Sequence, residues 1–405
     1  MKSYTKLQCF LTVFLLCFVN SGYNVEILGL YEGDICQYGD EETSNYICRN
    51  WKNCPVPIEE LKKSIYPICS FNGITPIICC PPEKNIHNQF TTTTIKPASI
   101  SPILKTSAAT EKCKEYSELI YFKRKDPVLT SSSEIHFITQ IDCYNANSLI
   151  SGGEKAEPKE FPHMALLGFG EKPDNESWFC GGSLISNRFV LTAAHCEKNG
   201  DINPSYAKWA RLGELDYNSE TADARPTDYK IVERIIHPNY KPPSLYNDIA
   251  LFRLERDVDF SAYVRPICLN TNNTLTPPAV MATGWGKTAL DRKVSTHLLK
   301  VRLNTISAQE CDNSFFNIQN KNKKLVKGID KNSMLCTGKI EDQKATCRGN
   351  SGGPIQIKLN GYKCMYSQLG ITSFGLIYGY EDVSAVHTRV SNYISWIEGI
   401  VWPTT

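Results

Sequence analysis

The sequence predicts a mainly β protein. An antiparallel sandwich or barrel architecture occupies the region from Ile150 onward, after a small disulfide-stapled module and a leader. Three observations carry this. Short apolar runs recur between turn residues at 163–168, 183–191, 230–236, 249–254 and 370–373, and strands so spaced close or stack into antiparallel sheets. Six cysteines, Cys36, Cys48, Cys54, Cys69, Cys79 and Cys80, crowd into residues 34–81. So short a stretch builds little core without covalent bridges. The chain opens with Lys2 and Lys6, an apolar run over 9–19, and the small residues Ser21 and Gly22.

That opening, residues 1–22, is a secretory signal peptide, with cleavage after Ser21 or Gly22. Its apolar run falls well short of the roughly 20 residues that span a bilayer, and no later stretch qualifies. A secreted, soluble chain is expected. The formal net charge of +2 gives no electrostatic case for nucleic acid or a membrane surface. Of the 17 cysteines, Cys9 and Cys17 leave with the leader, so 15 remain. In a secreted chain they read as a disulfide framework, with at least one thiol unpaired or bonded to another chain. No pair of C-x-x-C motifs suggests zinc.

The six-cysteine module needs three bridges, for which the sequence allows fifteen connectivities. Residues 82–149 then read as linker and propeptide. Thr91, Thr92, Thr93, Thr94, Pro97, Ser99, Ser101 and Pro102 punctuate a polar stretch that buries too little to order itself. Further on, Tyr116, Leu119, Ile120, Tyr121 and Phe122 can pack on the next domain, with Cys113 and Cys143 as covalent anchors. At the far end, Tyr393, Ile394, Ile397, Ile400 and Val401 recur at helical spacing after Ser391 or Asn392 as a cap. No internal repeat is evident.

The chemistry centres on residues 347–354, Cys347-Arg348-Gly349-Asn350-Ser351-Gly352-Gly353-Pro354. A serine among glycines suits a sharp turn in which the N–H groups of Gly349 and Ser351 face one point, as an oxyanion hole requires. The plain alternative is a Gly-rich turn that happens to hold a serine. Serine is a weak nucleophile without a base and an orienting group. His195, in Leu191-Thr192-Ala193-Ala194-His195-Cys196, supplies the base, and Asp248, at the edge of an apolar strand, the carboxylate. Taken alone, His195 is more often structural than catalytic, and Asp248 more often an N-cap or turn residue. The three together point to nucleophilic catalysis.

With these residues in place, the region 150–405 resembles the trypsin and chymotrypsin family of serine proteases. Ile150-Ser151-Gly152-Gly153, Gly284-Trp285-Gly286, Ser373-Phe374-Gly375 and the closing helix also match. The module at 34–81, ending in Cys79-Cys80-Pro81-Pro82, resembles the clip domain of arthropod serine proteases, and the whole chain those of the snake-like or Persephone-like type. The resemblance implies two antiparallel β-barrels with the site between them. It implies acyl transfer by Ser351, with His195 as base, Asp248 orienting it, and the Gly349 and Ser351 N–H groups holding the oxyanion. Ser373 supports Asp248 and, with Gly375, lines the substrate strand.

The resemblance also implies the clip bridges Cys36–Cys79, Cys48–Cys69 and Cys54–Cys80. In the protease region it implies Cys180–Cys196, Cys311–Cys336 and a propeptide tether Cys143–Cys268. Val280 and Ile357 replace a cysteine pair of chymotrypsin. Cys113, Cys347 and Cys364 are left, with Cys113 expected to bond Cys364 and Cys347 to be free.

Two departures from the family pattern bear on activity. Activation implies a cut between Leu149 and Ile150, a site for a chymotrypsin-like or otherwise unusual activator. The freed amine would face Asn350, where the family holds an aspartate. In the substrate pocket, Ala345 stands where trypsin-like members have a carboxylate. Gly375 keeps the entrance open, and Ala385 replaces a second glycine. A small or medium apolar residue is therefore expected on the acyl side of the cut.

The expected function is a secreted serine endopeptidase zymogen of an extracellular cascade, as in immunity, clotting or venom. The alternative is a weakly active or inactive homologue that serves as a binding cofactor. The implied partners are a protein substrate, an upstream activating protease, a serpin-type inhibitor and a clip-binding partner, with no nucleic acid and no membrane. Asn175 and Asn272 open glycosylation sequons. No cofactor is expected; Glu214 falls where some family members hold calcium, but its neighbourhood reads as a solvated acidic loop.

Overall fold

The computed structural model describes residues 35–37, 46–54, 68–72, 75–81, 107–125, 137–144, 154–173, 178–199, 206–219, 223–286, 295–319, 325–338, 351–359, 362–375 and 385–403. The leader, residues 82–106, Leu149, Ile150, Asn175, Ala345, Cys347, Gly349 and Asn350 lie outside them. The chain divides into two compact units, residues 1–99 and 100–405.

In the first unit, strands β1 (Ile35–Gln37), β2 (Tyr46–Asn50), β3 (Ile68–Asn72) and β4 (Thr75–Cys80) form an antiparallel sheet in the order β1-β2-β4-β3. Bridges Cys36–Cys79, Cys48–Cys69 and Cys54–Cys80 close it, in the pattern that the clip resemblance implies. Cys48, Cys69, Ile77 and Cys79 make up its small buried core, so covalent bonds stand in for area.

The second unit begins with structure inside the expected linker and propeptide. Helix α1 (Ala108–Ser117) starts at Ser107, whose Oγ accepts the Thr110 N–H at 3.2 Å. Glu398 Oε1 also accepts the Ala109 N–H, at 2.8 Å. A hairpin follows, β5 (Tyr121–Lys125) with β6 (Phe137–Ile141). Tyr116 and Ile120 are buried, whereas Leu119 and Tyr121, also expected to pack, are exposed.

After the short β7 (Glu154–Lys155), six strands form a closed barrel: β8 (Met164–Phe169), β9 (Trp178–Leu184), β10 (Phe189–Thr192), β11 (Ala207–Leu212), β12 (Thr227–Ile236) and β13 (Ala250–Leu254). The apolar run at 183–191 is two strands and not one. The turn between them is held by Ser186 Oγ, which accepts the Arg188 and Phe189 N–H groups.

Beyond β14 (Cys268–Leu269) comes the second barrel: β15 (Ala279–Gly284), β16 (Leu299–Ile306), β17 (Met334–Thr337), β18 (Pro354–Lys358), β19 (Tyr366–Gly375) and β20 (Ala385–Arg389). Pairing runs β19-β18-β15-β16-β17-β20, and β20 returns to β19. Val280 and Ile357 fall in one apolar cluster of this barrel, a packed contact where chymotrypsin has a bridge. Helix α2 (Ala308–Gln319) was not foreseen. Its signal was Ser307, whose Oγ accepts the Glu310 N–H, ahead of Cys311 and Phe315 at i, i+4. The closing helix α3 (Ile394–Val401) begins after a 3-10 turn over Val390–Tyr393. Tyr393 is therefore its N-cap, in place of Ser391 or Asn392.

The tethers of the segment ahead of Ile150 also differ from expectation. The bonds are Cys113–Cys268 and Cys143–Cys364, not Cys143–Cys268 or Cys113–Cys364. The reason is the unforeseen α1, which packs beside β14, with Tyr116, Cys268 and Met365 in one cluster. That brings Cys113, on the helix, to Cys268. Cys143, two residues past β6, then meets Cys364 in the turn before β19. The bridges Cys180–Cys196 and Cys311–Cys336 are formed.

Candidate active site

His195 sits in a 3-10 turn over Ala194–Glu197 that follows β10 directly. Asp248 lies two residues before β13, beside Asn247, whose φ of 58° marks a left-handed turn. Because β10 pairs with β13, the two ends meet. The His195 Nδ1 is 2.7 Å from Asp248 Oδ2, and the His195 N–H donates to Asp248 Oδ1 at 2.9 Å. Ser373, on β19 of the other barrel, donates its hydroxyl to Asp248 Oδ2. Thr388 Oγ1, on β20, donates to the Asp248 carbonyl at 2.8 Å.

The carboxylate is wholly buried, while the His195 side chain keeps 30% of its surface open. Burial by itself would raise the Asp248 pKa. The imidazole beside it and the hydrogen bonds from His195 and Ser373 outweigh this and hold it below the usual carboxylate value. For His195, burial acts downward, but the Asp248 charge and hydrogen bond prevail and hold the imidazole above an ordinary histidine. The aspartate thus stays ionised and the ring is a strengthened base.

Ser351 opens a turn clamped between the barrels. Its carbonyl accepts the Gly181 N–H of β9 at 2.8 Å, and the Gly352 N–H donates to the Thr372 carbonyl of β19 at 2.8 Å. Gly352 has φ +79°, and a Cβ there would lie 2.2 Å from Thr192 Oγ1, 2.4 Å from the Gly181 carbonyl and 3.1 Å from Cys196 Sγ. Only glycine fits such a conformation and approach. The turn that carries Ser351 is thereby set against Cys196, the neighbour of His195, with Cys180–Cys196 bracing the same spot. In the second barrel, Gly375 pairs with Ala385 across β19 and β20.

Glu214 is buried, not solvated. Its Oε1 accepts the Leu215 N–H at 2.9 Å and its Oε2 faces Arg211 Nη1 at 3.4 Å. Asn272 is exposed, and its Oδ1 accepts the Thr274 N–H and hydroxyl at 2.9 and 2.8 Å. Among the described residues, the metal-type clusters are Cys36, Cys48 and Cys69, and Cys180, His195 and Cys196. Their cysteines are bridged, so they offer no thiolate.

Two barrels that meet at an Asp–His pair, its carboxylate buried, and at a serine turn define a chymotrypsin-like serine protease architecture. Comparison with known proteins agrees: the trypsin family profile matches residues 150–397. The chain belongs to the trypsin family of serine-type endopeptidases. Among its relatives is serine protease snk of Drosophila melanogaster, 34% identical over 381 residues, which cover 92% of this chain and 80% of that protein. Venom serine protease Bi-VSP of Bombus ignitus is 30% identical, covering 81% and 79%. CLIP domain-containing serine protease HP8 of Bombyx mori is 35% identical, covering 62% and 69%. The chain is a secreted clip-domain protein of this family.

Proposed function

We propose that the protein is a zymogen that, once cut between Leu149 and Ile150, hydrolyses peptide bonds through Ser351, His195 and Asp248. The observation that carries this reading is the hydrogen-bonded series Ser373–Asp248–His195 beside the clamped Ser351 turn. Ser351 attacks the carbonyl as His195 takes its proton. The N–H groups of Gly349 and Ser351 hold the oxyanion, and His195 returns the proton to the leaving amine. The substrate is a protein with an uncharged residue on the acyl side, because Ala345, Gly375 and Ala385 offer no carboxylate to Lys or Arg.

Its place is an extracellular cascade; relatives are named phenoloxidase-activating factors of Holotrichia diomphalia and venom proteases. An upstream protease that cuts after leucine, a serpin-type inhibitor and a clip-binding protein are the partners. The sequons at Asn175 and Asn272 carry glycans.

Asn350 favours a second reading, a weakly active homologue that binds as a cofactor. An ammonium buried against a neutral amide has lost its counter-charge, a defect that costs about 3–5 kcal/mol. An α-amine with pKa of roughly 8 escapes by shedding its proton, at about 1 kcal/mol near neutrality. The activity of the cut enzyme then rises through about pH 8. The test is fluorophosphonate labelling of zymogen cleaved after Leu149, from neutral to mildly alkaline pH. Labelling that needs both the cut and Ser351 supports the protease. Its absence in folded, cut protein leaves the cofactor reading.

A further inference from the structure

On β17, β19 and β20 of the second barrel, three buried polar side chains have no role in the proposed acyl transfer: Thr337 and His387, each 1% exposed, and Thr372, 8% exposed. His387 Nε2 lies 2.9 Å from Thr337 Oγ1. Neither His387 Nδ1 nor Thr372 Oγ1 has a hydrogen-bond partner. Orphaned buried polar atoms are uncommon and call for a reason, and two of them here share one place.

Strand pairing fixes that place. Thr337 and Gly375 both stand opposite Ala385, and Thr372 stands opposite His387. Cross-strand partners share a face, and so do alternate residues of one strand. Ala385, Thr337, His387 and Thr372 therefore project from one face. A Cβ on Gly370 would lie 3.2 Å from His387 Cβ and 3.3 Å from Ile355 Cβ, so this face looks into the second barrel. His387 lies about 7 Å along β20 from Ala385, the reach of a medium side chain that enters beside Gly375.

We propose that Thr337, Thr372 and His387 form a neutral hydrogen-bonding floor to the substrate pocket, so that the enzyme prefers an uncharged polar residue, a side-chain amide above all, on the acyl side of the cut. This rests on the protease reading above and revises the apolar preference expected from Ala345, Gly375 and Ala385. Burial pushes His387 down to about 3, so the floor offers no charge to an acidic or a basic side chain. An amide that enters it can both donate and accept, and satisfies atoms that a methyl group leaves orphaned. Pockets built to bond a polar group discriminate strongly against its apolar isostere.

The experiment compares peptide substrates that differ only at this residue, Gln against Met and Asn against Leu. The enzyme is cut after Leu149, and its active concentration is fixed by fluorophosphonate titration. The expected kcat/KM ratio favours the amide by about tenfold or more. It moves towards one in Thr372→Val and His387→Phe. A general packing defect lowers both substrates together and leaves the ratio alone. A wild-type ratio at or below one overturns the proposal, as does a ratio that both variants preserve. If neither variant folds, the wild-type ratio decides. Absence of titratable serine removes the protease reading itself, which the titration reports separately.

Discussion

Asp248 holds His195 at two points, Oδ2 against the ring Nδ1 at 2.7 Å and Oδ1 on the backbone N–H at 2.9 Å. One carboxylate thus sets both the ring and the turn that carries it. Asp248 belongs to the first barrel, yet Ser373 and Thr388, which secure it, belong to the second. The base is oriented only when both barrels are in register.

Asp248→Asn should therefore fold but present an amide donor where the ring N–H needs an acceptor. Turnover is expected to fall about 10⁴-fold. Ser373→Ala removes one hydrogen bond of several and should cost no more than about tenfold. Steady-state kinetics on cut enzyme checks both, and equal losses would contradict the assigned roles.

The proposed mechanism requires neutral His195, whose pKa lies above the ordinary value of about 6.5. Turnover should rise with pH through that raised value, with little activity where the ring is protonated. A stopped pH profile on cut enzyme measures it; a midpoint below the ordinary value would refute the coupling to Asp248.

His163 and His387 are buried, and each is pushed down to about 3 by desolvation. Unfolded, each titrates near 6.5, so the unfolded state binds more protons between these values. Stability is full above about pH 6.5 and is lost as pH falls towards 3, by up to about 1.4 kcal/mol per pH unit for each ring. Urea midpoints at pH 7 and pH 5 should show the drop, and His163→Phe should flatten it.

Lys300 Nζ lies 2.8 and 2.9 Å from the two Glu160 oxygens, both side chains buried. Lys300→Met strands a buried carboxylate and should cost about 3–5 kcal/mol. Glu160→Met with Lys300→Met should recover most of it. A double-mutant cycle by chemical denaturation gives the coupling.

Cut after Leu149, the chain should stay one band on a non-reducing denaturing gel. It should do so equally in Cys113→Ser and in Cys143→Ser, because either tether suffices. Only the double variant should separate. Separation of Cys143→Ser alone would mean that Cys113 does not reach Cys268.

Local chemistry was legible in the residues alone. The short apolar runs of 163–168 and 249–254, the six clip cysteines, and the motifs around His195, Asp248 and Ser351 each owe their form to nearby residues: alternation, spacing and small residues at a tight turn. Gly352 was legible as such a residue, though not that Thr192 and Gly181 demand it. Packing decided the tethers ahead of Ile150, because Cys113 meets Cys268 through the docking of α1 against β14, a contact 155 residues apart in the chain. It likewise decided that Glu214 is buried beside Arg211, and that Thr337, Thr372 and His387 share one face. Pairing registers between distant strands set those neighbours, and no local pattern encodes a register that closes only when six strands form a barrel.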